Sequence, residues 1–494
     1  MVLIKSVKVI DGTGRPPFKA DVLLKGGRVA AVGSFPRKQA ETVINGIGHY
    51  LTPGFIDVNT SSDHYLNLFD YPEQGDFLSQ GVTTIMGGNC GSSLAPLLYG
   101  SLESIQKWSD PNKANVDWRT VEEFLSTIDR LKLGVNFGTL VGHSTIRRAL
   151  IGEEIRKLAA KEIQVFQNIL QRSLTEGAFG ISTGLGYAHA RKTPYEELRS
   201  LLRTVAAKNG AHTAHLKDEQ NELIDSVKEI LSLREESGVK TIINHLRPIK
   251  HGNVEDFHKA VEMLEGAGVY FNSYPFDSSL VPIYTLLPGW AQNGGRQIML
   301  ENLATKSITE NILKDLPPFG PDDIIVSSAT GNEYLVGKTI GEFAENRGLP
   351  LAKALLLLME ISGLKAVVIY KNVDESLAAE SLFHPNALIS TNSSSFSPEE
   401  NVHKPERSYR TFTKFLELAR ERQIIPLEKA IQKITSLPAK IFNLSERGEI
   451  REGNFADLVL LKDSWVAATF VNGQLAFENG KLKNARAGQV LRHL

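Results

Sequence analysis

Residues 211–247 read AHTAHLKDEQNELIDSVKEILSLREESGVKTIINHLR. Two compact apolar runs lie in this stretch, one ending at His215 and one at His245. Between them Val227, Ile230 and Leu231 recur at i, i+3 and i+4, which predicts a helix with one apolar face. The His215–His245 spacing is one βα unit's length, and parallel strands need such a crossover. The alternation continues on both sides, with Phe257, Ala260, Val261 and Leu264 marking a further helix. Apolar runs end near Asn59, Cys90, His143, Thr183, His215, His245, Tyr274 and Asn392. Eight strands, most followed by a helix, predict an α/β protein with a (β/α)8 TIM barrel.

The gap from Tyr274 to Asn392 is too long for one crossover. It is expected to hold an insertion at about 280–350, rich in turn formers such as Leu287-Pro288-Gly289 and Pro317-Pro318. On the catalytic face of a barrel such an insertion is a candidate lid. The two ends of the chain read differently from the middle. Val7, Val9 and Ile10, then Val22, Leu23 and Leu24, then Val29, Ala31 and Val32 form short apolar stretches. Asp11-Gly12 and Gly26-Gly27 supply the turns. Ala456 to Leu461 and Thr469 to Gln474 repeat the pattern near the other end. One small β-sandwich built from both termini is expected, 1–52 and 446–494, interrupted by a barrel over 53–445.

Across 494 residues, 55 Lys and Arg balance 56 Asp and Glu, for a formal net charge of −1. That excludes recognition of nucleic acid or an anionic membrane by bulk charge. The apolar cluster Ala354–Met359 is far too short for a membrane span. The N-terminal segment MVLIKSVKVIDGTG alternates like a strand and has no signal-peptide pattern. The only cysteine is Cys90, so no intramolecular disulfide can form. A cytoplasmic protein is expected. Oligomeric state leaves no mark in the sequence.

In a barrel, side chains at strand C-termini converge on one mouth. Three strand ends carry metal-type ligands: Cys90 in IMGGNCGSS, His215 in HTAHLKDE and His245 in IINHLRPI. One thiolate and two imidazoles suit zinc, with a fourth position open to water. Taken singly, a cysteine is more often an inert buried residue, and a histidine a hydrogen-bonded one. Their joint placement is what points to a metal.

Several segments follow one another in a telling order: TPGFIDVN at 52–59, GVTTIMGGNCGSS at 81–93, GHSTIRR at 142–148, GAFGISTGLGY at 177–187, and the His215 and His245 segments. With KITSLPAKIFNLSERGEIREGNFADLVLL at 433–461, the chain resembles the N-acyl-D-amino-acid deacylases (D-aminoacylases) of the amidohydrolase superfamily over nearly its whole length. The resemblance implies hydrolysis of the amide of an N-acyl amino acid. It implies zinc at Cys90, His215 and His245, the β side of the family's metal centre. It also implies that Arg247, Arg407 and Tyr187 receive the substrate carboxylate, which a guanidinium fits bidentately.

The sequence departs from the family pattern at one side of that centre. Strand 1 of the family ends in His-x-His, where this chain has Asn59-Thr60-Ser61. Strand 8 carries an aspartate, where this chain has Asn392 in Ser390-Thr391-Asn392-Ser393. Those three positions belong to the α side, so one zinc ion, at the β side, is expected. The family's aspartate moves protons, and an amide cannot. Asp63, Asp218, Glu219 and Asp277 lie in βα loops but read as exposed carboxylates or helix caps. His143, in GHST, is a candidate polar contact or base, balanced against a structural hydrogen bond. Three readings stand: a weak zinc amidohydrolase, a non-catalytic homologue that binds an acylated amino acid or peptide fragment, and a metal-free structural subunit.

Overall fold

The computed structural model describes residues 1–36, 40–99, 102–109 and 115–493. Parallel strands form its centre. One sheet joins Phe55–Asp57, Val82–Gly87 and Asn136–Thr139, and a second runs from Val141–Gly142 through Gly180–Gly184, Ala211–His215, Lys240–Ile243 and Val269–Ser273 to Ala387–Ile389. The two sheets share one run of chain, 136–142. Its first part pairs with Val82–Gly87, its second with Gly180–Gly184, and Phe179 N donates to Thr139 O at 2.9 Å. Val82–Gly87 and Gly180–Gly184 are buried at every residue, as strands covered on both faces must be.

The outermost runs of this array meet through side chains. The Asp57 carboxylate accepts from Thr391 N at 3.0 Å and Thr391 Oγ1 at 2.6 Å, and Ser390 Oγ donates to the Asn59 carbonyl at 2.9 Å. Ser61 N donates to the Ser393 carbonyl at 2.9 Å. The strand-1 and strand-8 ends are thereby held together.

Helices cover the array in the order expected. The helix predicted around Val227 is Leu223–Ser237, with Leu223, Val227, Ile230 and Leu233 buried and Leu231 packed half-buried against them. Each such side chain removed from water stabilises by roughly 1.5–3 kcal/mol. Gly238 ends it in the left-handed region at φ 72°, where glycine avoids a Cβ clash. Asn253 caps Val254–Glu262 by accepting from Glu255 N and Asp256 N.

The insertion is larger than its Gly/Pro content suggests. Ser279–Pro282, Val367–Tyr370 and Ile324–Ser328 form an antiparallel sheet, with Val367–Tyr370 in the middle. Helices Gly295–Ala304, Lys306–Asp315 and Leu351–Ile361 pack on it around a separate core that includes Met299, Ile312, Leu355, Met359 and Val368. The apolar run at 354–359 therefore lies inside this core, and among the described residues no helix is long and apolar enough to cross a membrane. Both termini contribute to one mixed nine-stranded sheet, in which Leu458–Lys462 pairs with Tyr50–Pro53. Its core holds Ile4, Val22, Leu24, Leu51, Leu458, Leu460 and Phe470. Gly26 and Gly27, at φ 59° and 79°, make the tight turn read from the sequence.

Candidate metal centre

Cys90 follows Val82–Gly87 in the sequence Gly88-Asn89-Cys90-Gly91, with its own φ at 51°. A Cβ on Gly88 would lie 2.1 Å from the Leu140 carbonyl oxygen, and one on Gly91 2.6 Å from Gly184 N. Only glycine lets this loop pass against two neighbouring strands. Ser182 pins it, accepting from Gly91 N at 3.0 Å and donating to the Gly88 carbonyl. His245 is also left-handed, at φ 41°, and its N–H donates to Asn272 Oδ1 at 2.9 Å. Such a backbone costs a non-glycine residue about 1–3 kcal/mol and survives where its surroundings over-determine it. Asn392 shares it, at φ 43°.

One ligand atom each from Cys90, His215 and His245 lie within 4.8 Å of one another. Cys90 Sγ is 3.5 Å from His245 Nε2. Two ligands on a tetrahedral zinc, with bonds of about 2.3 Å to sulfur and 2.0–2.1 Å to nitrogen, sit about 3.5 Å apart. His215 packs edge-on against His245, with ring centroids 4.5 Å apart, and its Nδ1 is buried without a partner among the described residues. A buried ring nitrogen left unused, beside a thiol and a second imidazole, is what a metal would satisfy.

The outer contacts of His245 are complete. Its Nδ1 lies 2.8 Å from Glu219 Oε1, and Glu219 Oε2 accepts from Arg247 Nη2 at 2.9 Å. A carboxylate on the far nitrogen fixes which nitrogen faces a metal and raises its basicity. Burial alone would lower the His245 pKa, but the Glu219 carboxylate and Cys90 together raise it to about 9. Burial would raise Glu219, yet Arg247 and His245 hold it well below the carboxylate range. Burial, helped by the charge of His245, lowers His215 to about 3. Glu219, read from sequence as an exposed loop carboxylate, is instead the anchor of this arrangement. Asp218 behaves as expected, accepting from Gln220 N and Glu222 N in its loop. Asp63 is buried and accepts from Gly88 N at 2.6 Å, so it braces the cysteine loop. The Asp277 backbone carbonyl accepts from Val373 N.

Arg247 also donates to the Tyr274 hydroxyl at 2.9 Å, and Arg407 lies over the Tyr274 ring, 4.4 Å from its centroid. Arg407 is 1% exposed, and all three of its guanidinium nitrogens lack a partner among the described residues. Burial and the neighbouring Arg247 outweigh Tyr274 and lower its pKa. Burial would raise Tyr274, but Arg247 and Arg407 bring it down to about 8. Unpaired buried guanidinium is costly, and an incoming carboxylate would relieve it. Tyr187 sits beside the candidate ligands, its ring 4.8 Å from that of His215.

The remaining candidates are placed differently. His143 opens the helix His143–Ile151, where its Nε2 is 2.9 Å from Glu197 Oε1 and its ring stacks on Phe166. Arg147 Nε donates to the same Glu197 oxygen at 3.1 Å, so His143 sits in a buried polar cluster. Asn59 enters a chain of amides. Its Nδ2 donates to Asn272 Oδ1 at 3.3 Å, Asn272 Nδ2 to Asn244 Oδ1 at 2.7 Å, and Asn244 Nδ2 to Asn89 Oδ1 at 3.1 Å. Asn59 Oδ1 is buried and has no hydrogen-bond partner among the described residues. The Ser61 carbonyl accepts from Tyr65 N, and Asn392 N donates to Ser390 Oγ.

Residues 402–486 match the model of the amidohydrolase family. The chain is 27% identical to N-acyl-D-aspartate deacylase of Alcaligenes xylosoxydans xylosoxydans, over 99% of this chain and 94% of that protein. It is similar in structure to N-acyl-D-glutamate deacylase from Bordetella bronchiseptica, complexed with zinc and a phosphonate mimic of the tetrahedral intermediate. That likeness has a TM-score of 0.81 and 26% identity over 99% of each chain. A D-aminoacylase with a binuclear metal centre, described by one-metal activation and second-metal attenuation, gives a TM-score of 0.82 and 26% identity over 99% of each chain.

Proposed function

The chain belongs to the N-acyl-D-amino-acid deacylase family of amidohydrolases, and on that premise we propose that it is a one-zinc hydrolase of the amide bond in N-acyl amino acids. The parallel strands are read as one closed (β/α)8 barrel over 53–445, with the unit at 279–370 as its lid. Residues 1–52 and 446–494 form the accompanying β domain. A cytoplasmic location belongs to the same proposal, since a lone, unpaired cysteine suits a reducing compartment.

The observation that carries this reading is the approach of Cys90 Sγ to His245 Nε2, with His215 beside them. Zinc in such a set supplies polarisation of an acyl carbonyl and activation of water. The protein's own groups do the rest. Glu219 fixes the His245 ring by its bond to Nδ1. Arg407, with Arg247 and Tyr187, receives the substrate's carboxylate and so orients the amide. The strand-8 position, Asn392, holds no proton to give or take. A single-ion centre has a parallel in the D-aminoacylase described by one-metal activation.

One set of contacts favours a second reading, a non-catalytic binder of the same ligands. Asn59, Asn272, Asn244 and Asn89 link neutral amides beside the ligands, where the family's strand-1 position is ionisable. The deciding experiment is hydrolysis of a panel of N-acetyl amino acids by the native protein and Cys90→Ala. Turnover that disappears in Cys90→Ala supports the hydrolase. No turnover, with retained binding of the panel, transfers the case to the binder. Fast turnover unaffected by Cys90→Ala contradicts the site.

A further inference from the structure

A cavity of about 300 Å³ adjoins the candidate centre, between loops of the parallel array and the inserted unit. Ser144 and Tyr187 line it from the array, Met299 and Leu364 from the inserted unit. Two contacts join it to the candidate ligands. The Tyr187 ring packs 4.8 Å from that of His215. Ser144 N donates at 2.8 Å to the carbonyl of Gly91, the residue after Cys90. The volume is at the lower end of what small-molecule ligands occupy, and far more than the methyl of an acetyl group needs.

The inside of this cavity carries little net charge. Arg148 at its wall is paired with Glu153 at 2.7 Å. His189, buried beside them, is brought down to about 3 by burial and then by Arg148, so it stays neutral. Burial, then the same arginine, hold Lys107 well below its ordinary value, which favours the neutral amine. Arg296 is exposed at the rim, where water solvates it. Met299 and Leu364 are buried, at 6% and 3% exposure, so the depth of the cavity is apolar and its mouth polar. Such a lining takes an apolar chain and disfavours a charged group, whose burial without a partner is costly.

We propose that this cavity receives the acyl chain of the ligand, a linear alkanoyl group of about six to eight carbons in place of an acetyl. The acyl carbon is the reacting atom, so the chain attached to it begins at the candidate ligands, beside Ser144 and Tyr187. The amino-acid side chain begins further off, beyond the amide nitrogen and the α carbon. Each methylene drawn from water into the cavity should tighten binding about fourfold. This inference rests on the reading of the centre as an N-acyl amino acid site.

The test is calorimetric titration of the native protein with racemic N-acetylleucine, N-hexanoylleucine, N-octanoylleucine and N-acetyl-2-aminodecanoate, with KM used where a ligand turns over. The hexanoyl and octanoyl compounds should each bind at least about tenfold tighter than N-acetylleucine, and tighter than the compound whose long chain is its side chain. The octanoyl-to-acetyl ratio should fall toward unity in Met299→Trp, which fills the cavity from the inserted unit, and in Ala188→Phe, which fills it from the opposite wall. If neither variant folds, the native series alone decides. Equal affinity along the acyl series, N-acetylleucine bound best, N-acetyl-2-aminodecanoate bound best, an octanoyl gain undiminished in a folded variant, or no binding of any of these overturns the inference. Turnover of N-acetylleucine without a chain-length gain would leave the hydrolase standing, whereas a chain-length gain without turnover would leave the cavity assignment standing.

Discussion

Cys90 Sγ and His245 Nε2, 155 residues apart in sequence, lie 3.5 Å apart in a buried cluster. That distance fits two ligands of one tetrahedral zinc, and it also fits a thiolate paired with a protonated imidazole. Both residues sit in left-handed backbone, so the fold spends conformational energy to bring them together.

Restoring an ionisable group at strand 8 should raise turnover. Asn392 shares the left-handed backbone of Cys90 and His245, and the family resemblance aligns it with an aspartate proposed to carry protons. Asn392→Asp is expected to increase kcat on an N-acetyl amino acid by about 10²–10⁴, the usual worth of general acid–base help. Equal kcat in parent and variant would show that proton transfer at this position does not limit the reaction.

Arg407 should trade stability for binding. Its guanidinium is buried with no hydrogen-bond partner among the described residues. Replacing it with methionine removes a desolvated charge, so the unliganded protein should gain about 1–4 kcal/mol in denaturant unfolding. The same variant should lose roughly 1.5–3 kcal/mol of affinity for N-acyl amino acids. A variant that is less stable yet binds normally would show that Arg407 serves the fold alone.

Two buried histidines away from the ligands set an acid limit. Burial, with nearby positive charges, lowers His189 and His212 to about 3. The unfolded chain protonates them near 6.5 while the folded chain does not, so stability falls as pH drops from about 6.5 toward 5. Each contributes roughly 2 kcal/mol of loss by pH 5, at about 1.36 kcal/mol per unit below 6.5. Asp57 works the other way. Burial raises it to about 6, so the folded state takes up its proton first and gains stability below that pH. The histidines outnumber it. Unfolding midpoints across pH 5–7 should decline toward acid, and a flat or rising profile would contradict this.

The strand ends were legible because each closes a short apolar run, and parallel strands bring such ends to one edge of the array. Cys90, His215 and His245 match zinc by residue type alone. The inserted unit was only half legible. Its first strand, Ser279–Pro282, is half-exposed at its centre, and its middle strand, Val367–Tyr370, lies far along the chain, beyond the expected limit near 350. Glu219 was passed over because Lys217-Asp218-Glu219 reads as any charged loop. Only the fold shows that Asp218 stays with its own loop while Glu219 turns toward His245.

The most direct measurement is X-ray absorption at the zinc edge on the native protein, purified without chelators, with metal content determined alongside. About one zinc per chain is predicted, with one sulfur near 2.3 Å and two imidazole nitrogens near 2.0–2.1 Å. Both signals should be lost in Cys90→Ala. A protein free of zinc, or zinc in a shell without sulfur, would contradict the account.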